Sequence, residues 1–438
     1  NNDAVFDLTN TSIDRDVNLK AVYIFDFVKP TCSITSQPSK TTMSLVDGYN
    51  QWTITFTCTD EWWISTNSLS SGAVAYSSNV VSLSNAVVWW TDTSKTYTFT
   101  YTAKAAGSTT FNLKAWAVSD LAWNTNEATV TSNNVTVDTS APTITITQPG
   151  TSWSTSKTVQ ATVSDANSVT MYYSTWTSST CSSATKSYTA WTTLTFNKES
   201  DNNTYVCFKA VDNVWNTVYS GSNKIEKIDT TKPSCKWWTP SKTYVKAWAT
   251  WSIVLTCTDT WAWISTTSLT SSDITLSAAN LKINSVIAGW NTSSKTFTIV
   301  YEWLANKNGA VTFTLPANKV SDAATNKNNA TSASSAVTVD TTVPTCSITG
   351  NPSSWGNTDV TLTLSMSDTN LDSNGYKWDN GSYGSTKTLS VTTNGVHTWY
   401  VKDLAWNEWS CNVNVTKIDK TKPEGNNSKC KATDFMET

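Results

Sequence analysis

The chain has 438 residues, of which only 14% are charged, and its formal net charge is −3. So weak a charge creates no field that would attract a nucleic acid or an anionic membrane surface. No apolar run approaches the 18 residues that a transmembrane helix needs. We therefore expect no nucleic-acid partner and no membrane insertion within this segment.

Short segments in which apolar residues alternate with hydroxyl residues recur along the chain. Clear examples are residues 53–58, 96–101 and 361–366. A period of two is typical of a half-buried β-strand, and no convincing period of 3.6 residues appears. Several short strands per ~100 residues predict an all-β chain of antiparallel β-sandwiches.

Two acidic motifs recur together. An Asp stands four residues before a Pro at Asp26, Asp138, Asp229, Asp340 and Asp419. Upstream of the last four lies a five-residue turn that begins with Asp and ends with Asn: residues 120–124, 212–216, 322–326 and 403–407. Motifs that recur at a similar offset indicate a tandem array.

The motif spacing predicts four repeats, which we number in chain order: residues 29–140, 141–231, 232–342 and 343–421. Residues 1–28 are expected to be the tail of a preceding module with its junction, and 422–438 the start of a further module. Repeats one and three share a subtype, because Cys58-Thr-Asp60 matches Cys257-Thr-Asp259. Short junctions stiffened by Pro predict an elongated rod.

The two motifs resemble those of the tandem bacterial immunoglobulin-like (Big-type) domains of large surface adhesins. In that family D-T-T-x-P joins the modules and D-x-A-G-N lies between the last two strands. The resemblance covers roughly residues 29–421 and implies four immunoglobulin-like antiparallel β-sandwiches in an extracellular or cell-surface protein. The sequence departs from the family at its Gly, which is Trp123, Trp215, Thr325 and Trp406 here.

The chain contains 24 Trp and only 14 Gly, although Gly usually makes up about 7% of a protein. Trp89 and Trp116 of repeat one stand opposite Gly289 and Asn318 of repeat three, and Asn tolerates a positive φ. Glycine is also expected in the turns that hold Trp62, Trp63, Trp261 and Trp263. Our hypothesis is that most of these Trp correspond to UGA codons. Some bacterial lineages translate UGA as Gly, whereas a translation table that reads UGA as Trp would give this sequence. Trp399, in a strand pattern, is expected to be genuine. The alternative is that all are genuine and form an aromatic sugar-binding surface.

Nine Cys without zinc-type C-x-x-C pairs indicate disulfides and an oxidising compartment. Repeats one and three carry Cys both after the junction Pro and before the Asp that ends the second strand. We therefore predict the pairs Cys32–Cys58 and Cys235–Cys257. Repeat four keeps only the first of these Cys, so we pair Cys346 with Cys411 early in its last strand. Repeat two has Cys181 and Cys207 left, which predicts the pair Cys181–Cys207. Cys430 is left over, either free or paired beyond the sequence. The alternative is that the Cys are buried free thiols.

The sequence offers little support for catalysis. Its one histidine, His397, lies in an alternating strand pattern without a nucleophile motif such as G-x-S-x-G. No phosphate-binding, dinucleotide-binding or H-E-x-x-H motif occurs. The recurring Asp are poor candidates for a glycosidase pair, because an enzyme needs one singular site. We predict that the chain is not an enzyme.

The Asp have another predicted role. If strands alternate in direction as in an immunoglobulin-type sandwich, three Asp of each repeat converge at one end: the junction Asp, the Asp after the second strand and the first Asp of the five-residue turn. We call these sets the Asp trios, numbered one to four: Asp26, Asp60 and Asp120; Asp138, Asp165 and Asp212; Asp229, Asp259 and Asp322; Asp340, Asp368 and Asp403. Crowded carboxylates suit Ca²⁺, which takes six to eight oxygen ligands, so Ca²⁺ is expected at the inter-domain junctions. The alternative is that each Asp caps its own turn.

Together these features predict a structural and adhesive repeat region of a bacterial surface or secreted protein. It would act as a stalk and contact an extracellular protein or glycan surface. The alternative function is an ancillary carbohydrate-binding segment of a secreted polysaccharide-degrading enzyme.

Overall fold

The computed structural model describes residues 25–246, 249–289 and 294–424. Most of the two predicted flanking segments, and Cys430, lie outside these residues. Within them the chain forms β-strands joined by loops, with three short 3-10 helices, and nearly all strand pairs are antiparallel. The predicted all-β, antiparallel fold is confirmed. The division into four sandwiches remains a prediction.

The chain separates into two compact units, which are described one at a time. The first consists of residues up to Gln148, Val159–Leu194 and Thr204–Asn223. The second consists of Pro149–Thr158, Thr195–Asn203 and the chain from Lys224 onward.

In the first compact unit, repeat one forms three sheets and a 3-10 helix at Ser71–Ala73. The largest sheet contains Thr31–Ser36, Gln51–Thr59, Ser94–Ala103, Val81–Leu83 and Val87–Thr91. A second contains Val130–Thr131, Asn112–Leu113 and Val74–Ala75, and a third contains Thr42–Met43, Val135–Val137 and Gly107–Thr109.

Alternation along the strands positions the core of repeat one. Tyr97, Phe99 and Tyr101 point inward from Ser94–Ala103 and are fully buried. The intervening Thr side chains face outward, where Thr98 hydrogen-bonds Thr55 across the strands at 3.1 Å. This arrangement is the period-two pattern that the sequence predicted.

Repeat two contributes a four-stranded sheet to the first compact unit, in the order Lys186–Tyr188, Val169–Trp176, Tyr205–Asp212 and Thr217–Gly221. Its other sheet contains Thr143–Thr147, Lys157–Ser164 and Leu194–Phe196. Glu199–Asp201 forms a 3-10 helix that belongs to the second compact unit.

The second compact unit holds the sheets of repeats three and four and a 3-10 helix at Ser271–Asp273. Repeat three forms sheets of Ser234–Trp237, Thr250–Thr258, Ser294–Trp303 and Leu281–Gly289; of Tyr244–Val245, Val337–Val339 and Gly309–Val311; and of Thr275–Leu276 with Phe313–Thr314. Repeat four forms sheets of Thr345–Thr349, Val360–Ser367 and Thr388–Val391, and of Leu371–Trp378, Gly395–Asp403 and Glu408–Val415. No helix of the described residues is long and apolar enough to span a membrane.

The structure joins the four Cys pairs that the repeats predicted. Cys32 and Cys58 are direct cross-strand neighbours, as are Cys235 and Cys257, and both pairs have Cα atoms 4.0 Å apart. The Cys346–Cys411 bond links a strand of one repeat-four sheet to a strand of the other. Cys181–Cys207 ties a loop of repeat two to its central strand.

Several Trp occupy left-handed backbone. The positions at which the resembled family carries Gly all have positive φ: Trp123 (72°), Trp215 (71°), Thr325 (73°) and Trp406 (68°). Trp116 and its counterpart Asn318 also agree, at 62° and 65°, and Trp191 has a φ of 71°. In the turns after the second strand, Trp62, Trp63, Trp261 and Trp263 are not among the positive-φ residues of the described chain, so backbone geometry does not test the expectation of Gly there, which stays a prediction.

Candidate metal centres at the Asp trios

The structure brings each predicted Asp trio together. In all four trios, one carboxylate oxygen from each Asp lies within 4.8 Å of the others. The strand-end members Asp60, Asp165, Asp259 and Asp368 directly follow the four strands that the sequence assigned as second strands.

The turn members arrive by two routes. Asp212 and Asp403 end regular strands, as predicted. In repeats one and three no regular strand of the described residues ends at the turn Asp, although the resembled motif lies between two strands. There Asp120 and Asp322 are held by single β-bridges to Ile64 and Ile264.

Local hydrogen bonds orient the junction and strand-end Asp. Each uses one oxygen, Oδ1, to accept the backbone N–H two residues ahead. Junction examples are Ser140 to Asp138 at 2.9 Å and Thr342 to Asp340 at 3.0 Å. A strand-end example is Trp62 to Asp60 at 2.9 Å. These are Asx turns, so the predicted capping role is present in the structure.

The turn Asp makes fuller use of its two oxygens. Asp120 accepts the backbone N–H of Asn124 on Oδ1 and the side-chain amide of Asn124 on Oδ2, both at 2.9 Å. The same pair of bonds joins Asp212 to Asn216 at 2.9 Å. The Asn that ends each five-residue turn therefore fixes the orientation of the Asp that begins it.

The same Asn also reaches the junction. Asn124 Nδ2 donates to the backbone carbonyl of Asp26 at 3.0 Å, and Asn407 Nδ2 donates to that of Asp340 at 2.9 Å. This bond holds the linker residue against the turn. We had not predicted a role for the Asn, although its constant position in the motif was a usable signal.

The trios differ in the second oxygen of the junction and strand-end Asp. In trios one and three, Oδ2 of Asp26, Asp60, Asp229 and Asp259 is buried and has no hydrogen-bond partner among the described residues. Asp60 is only 8% exposed and Asp229 is completely buried. An unpaired buried carboxylate oxygen is costly unless a cation or donor meets it.

In trios two and four a side-chain amide meets Oδ2 of the junction Asp. Asn167 Nδ2 donates to Asp138 Oδ2, and Asn370 Nδ2 donates to Asp340 Oδ2 at 2.7 Å. Both Asn stand two residues after the strand-end Asp, where repeats one and three carry Trp62 and Trp261. Sequence reasoning missed this difference, although the residue identities displayed it.

Burial and mutual repulsion shift the acidity of the trios. Burial raises the pKa of Asp229 to about 6, and the charges of Asp259 and Asp322 act in the same direction. Burial, with the charges of Asp26 and Asp120, also raises the pKa of Asp60. A bound cation would relieve both effects.

The arrangement suits a hard cation better than catalysis. The capping bonds of the junction and strand-end Asp use Oδ1, so the Oδ2 atoms of these two Asp in trios one and three remain for an ion, and the two predicted roles are compatible. Carboxylate oxygens are the ligands that Ca²⁺ prefers. His397 belongs to none of the trios, and its Nδ1 is 3.1 Å from Asp379 Oδ2 in repeat four.

No family model matches the chain, and no curated protein matches it. Among solved structures, the Escherichia coli adhesin FdeC aligns with 73% of this chain and 100% of its own at 12% identity and a TM-score of 0.26. The S-layer protein rSbsC aligns with 91% of this chain and 55% of its own at 14% identity and a TM-score of 0.20. A putative membrane-anchored protein of Corynebacterium diphtheriae aligns with 70% and 91% at 13% identity and a TM-score of 0.18. Scores this low assign no function, so the fold description rests on the strand pairing.

Proposed function

We propose that the chain is a tandem-repeat region of an extracellular or cell-surface bacterial protein, with a structural and adhesive role. The observation that carries the proposal is the recurrence, four times, of the same Asp trio with its supporting Asn. A site that recurs in every repeat is better suited to a structural role in an array than to catalysis, which needs a single site. Four disulfides support an oxidising compartment.

We also propose that Ca²⁺ is the structural cofactor of the array. Each trio combines an Asp of the incoming linker with two Asp of the following repeat. An ion held between them would fix the linker to that repeat. The unpaired, buried Oδ2 atoms of Asp60 and Asp229 support this proposal.

Single-molecule pulling of the oxidised chain from its two ends tests the structural role. A tandem array gives four separate unfolding events, and Ca²⁺ raises the unfolding force relative to a chelator. One unfolding event for the whole chain would contradict the tandem array. Four events with no response to Ca²⁺ would contradict only the calcium proposal.

We infer that most Trp stand where the native protein carries Gly. Trp116, Trp123, Trp191, Trp215 and Trp406 have positive φ, which is strained for a bulky residue and free of strain for Gly. Each of their side chains is at least half exposed, so no core depends on them. The intact mass of the native protein decides the matter, because each exchange of Trp for Gly lowers it by a fixed amount. A mass that matches 24 Trp would refute the inference.

The rival function is carbohydrate binding by an accessory segment of a secreted polysaccharide-degrading enzyme. The exposed Trp62, Trp63, Trp261 and Trp263 are the observation that favours it. Binding of the native protein to a glycan array distinguishes the two functions. Binding that is lost in Trp63→Ala and Trp263→Ala would favour the rival.

A further inference from the structure

We propose that only Asp trios one and three bind Ca²⁺, and that in trios two and four the side-chain amide of an Asn takes the place of the ion. This inference rests on the calcium proposal above and divides the four sites into two kinds. We call trios one and three open and trios two and four amide-closed.

The open trios lack a partner for their inner oxygens. In trio three, Asp229 Oδ2 and Asp259 Oδ2 are both buried and unpaired, and Asp229 is fully buried. In trio one, Asp26 Oδ2 and Asp60 Oδ2 are in the same condition. Because these oxygens are buried and no N–H of the described residues points at them, a cation is the partner that suits their charge.

One further carboxylate adds negative charge to each open trio. The charge of Glu61 contributes to the raised pKa of Asp60 in trio one, and the charge of Glu199 contributes to that of Asp229 in trio three. Trio one also borders a surface hollow lined by Asp26, Trp62 and Trp63, which gives an ion a route from solvent.

The amide-closed trios already contain a donor. Asn167 gives its backbone N–H to Asp165 Oδ1 at 2.7 Å and its side-chain N–H to Asp138 Oδ2. Asn370 repeats both bonds with Asp368 and Asp340, each at 2.7 Å. The positive end of the amide then lies where a cation would sit, so the amide and the ion exclude one another.

One sequence position therefore decides the type of site. The second residue after the strand-end Asp is Asn167 or Asn370 in the amide-closed trios and Trp62 or Trp261 in the open ones. The two Trp keep the backbone bond to the Asp, at 2.9 Å in both cases, and their side chains are exposed to solvent. A Gly at these two positions would leave the trio equally open.

The test is the number of Ca²⁺ ions bound per whole, oxidised chain, measured by equilibrium dialysis of the chelated protein against CaCl₂. We expect two. Asp60→Asn and Asp259→Asn should each remove one ion. The matched substitutions Asp165→Asn and Asp368→Asn, in the amide-closed trios, should leave the number at two.

Exchange of the deciding residue gives the converse test. Trp62→Asn should lower the number to one, and Asn167→Gly should raise it to three. Trp62 is exposed, so its substitution removes no core side chain. Circular dichroism checks the strand content of each variant.

The outcomes separate this inference from the calcium proposal. Four ions per chain, with a loss in Asp165→Asn, would show that the Asn side chain turns its Oδ1 toward the ion. That result overturns the division into two kinds and keeps calcium as the cofactor. No bound ion in the unsubstituted chain would overturn both proposals.

Discussion

The side-chain amide of Asn216 donates to the backbone carbonyl of Asp138 at 3.1 Å, although 78 residues separate the two. The same amide donates to Asp212 Oδ2 at 2.9 Å. One buried Asn thus connects the linker to the turn of repeat two. Equivalent bonds occur in the other three repeats, so this contact belongs to the construction of every repeat.

The first prediction concerns that contact. Asn216→Ala should lower the free energy of unfolding of repeat two by about 2 kcal/mol, because it removes two side-chain bonds and leaves Asp212 Oδ2 unpaired. Thermal unfolding and hydrogen exchange across residues 205–221 measure the loss. Asn213→Ala is the matched control: Asn213 is exposed, so the change should stay within about 0.5 kcal/mol. Equal effects of the two substitutions would contradict the role of Asn216.

The second prediction concerns left-handed backbone. Trp123→Gly should raise the stability of a chain that carries Trp at this position by about 1 kcal/mol, because a φ of 72° costs a bulky residue about 1–2 kcal/mol and Gly little. Trp409→Gly, an exposed position inside strand Glu408–Val415, should instead lower stability by about 0.5–1 kcal/mol. Urea unfolding compares the two. A loss of stability in Trp123→Gly would count against glycine at that position.

The third prediction concerns calcium. At a hundredfold excess over its dissociation constant, Ca²⁺ should stabilise an ion-binding repeat by about 2.7 kcal/mol by mass action. Mg²⁺ should be a poor substitute, since it demands tighter octahedral geometry. Calorimetry with Ca²⁺, with Mg²⁺ and with a chelator measures the effect. Asp47→Asn, which changes an exposed carboxylate outside the trios, should respond like the unsubstituted chain. Identical melting curves in all three conditions would leave the Asp as turn caps.

The fourth prediction concerns the disulfides. Removal of Cys346–Cys411, which spans 65 residues, should destabilise its repeat by about 1 kcal/mol more than removal of Cys235–Cys257, which spans 22. The reason is that the longer loop gains more entropy in the unfolded chain. Paired Cys→Ser substitutions followed by hydrogen exchange within each repeat measure the difference. The reverse order would indicate that the cross-sheet bond contributes little.

The sequence determined the strands and the grouping of the Asp. Alternation of Thr with Tyr97, Phe99 and Tyr101 leaves only one pleated arrangement that buries all three rings, so strand Ser94–Ala103 was predictable. The recurring motifs placed Asp at equivalent positions of successive repeats, and the structure brings the three Asp of each trio together. The same comparison of repeats paired Trp116 with Asn318, and both residues have left-handed backbone.

Only the tertiary structure decided how each trio is completed. Whether Asp138 Oδ2 meets an amide or remains unpaired depends on where Asn167, 29 residues away, directs its side chain. Likewise, a single bridge to Ile64 holds Asp120, although the resembled motif, which lies between two strands, suggested a regular strand there. Sequence periodicity specifies which face of a strand is buried, because burial involves whole side chains. Hydrogen bonding depends on positions of single atoms to within about 0.5 Å, and those positions are set by the packing of segments that are distant in sequence.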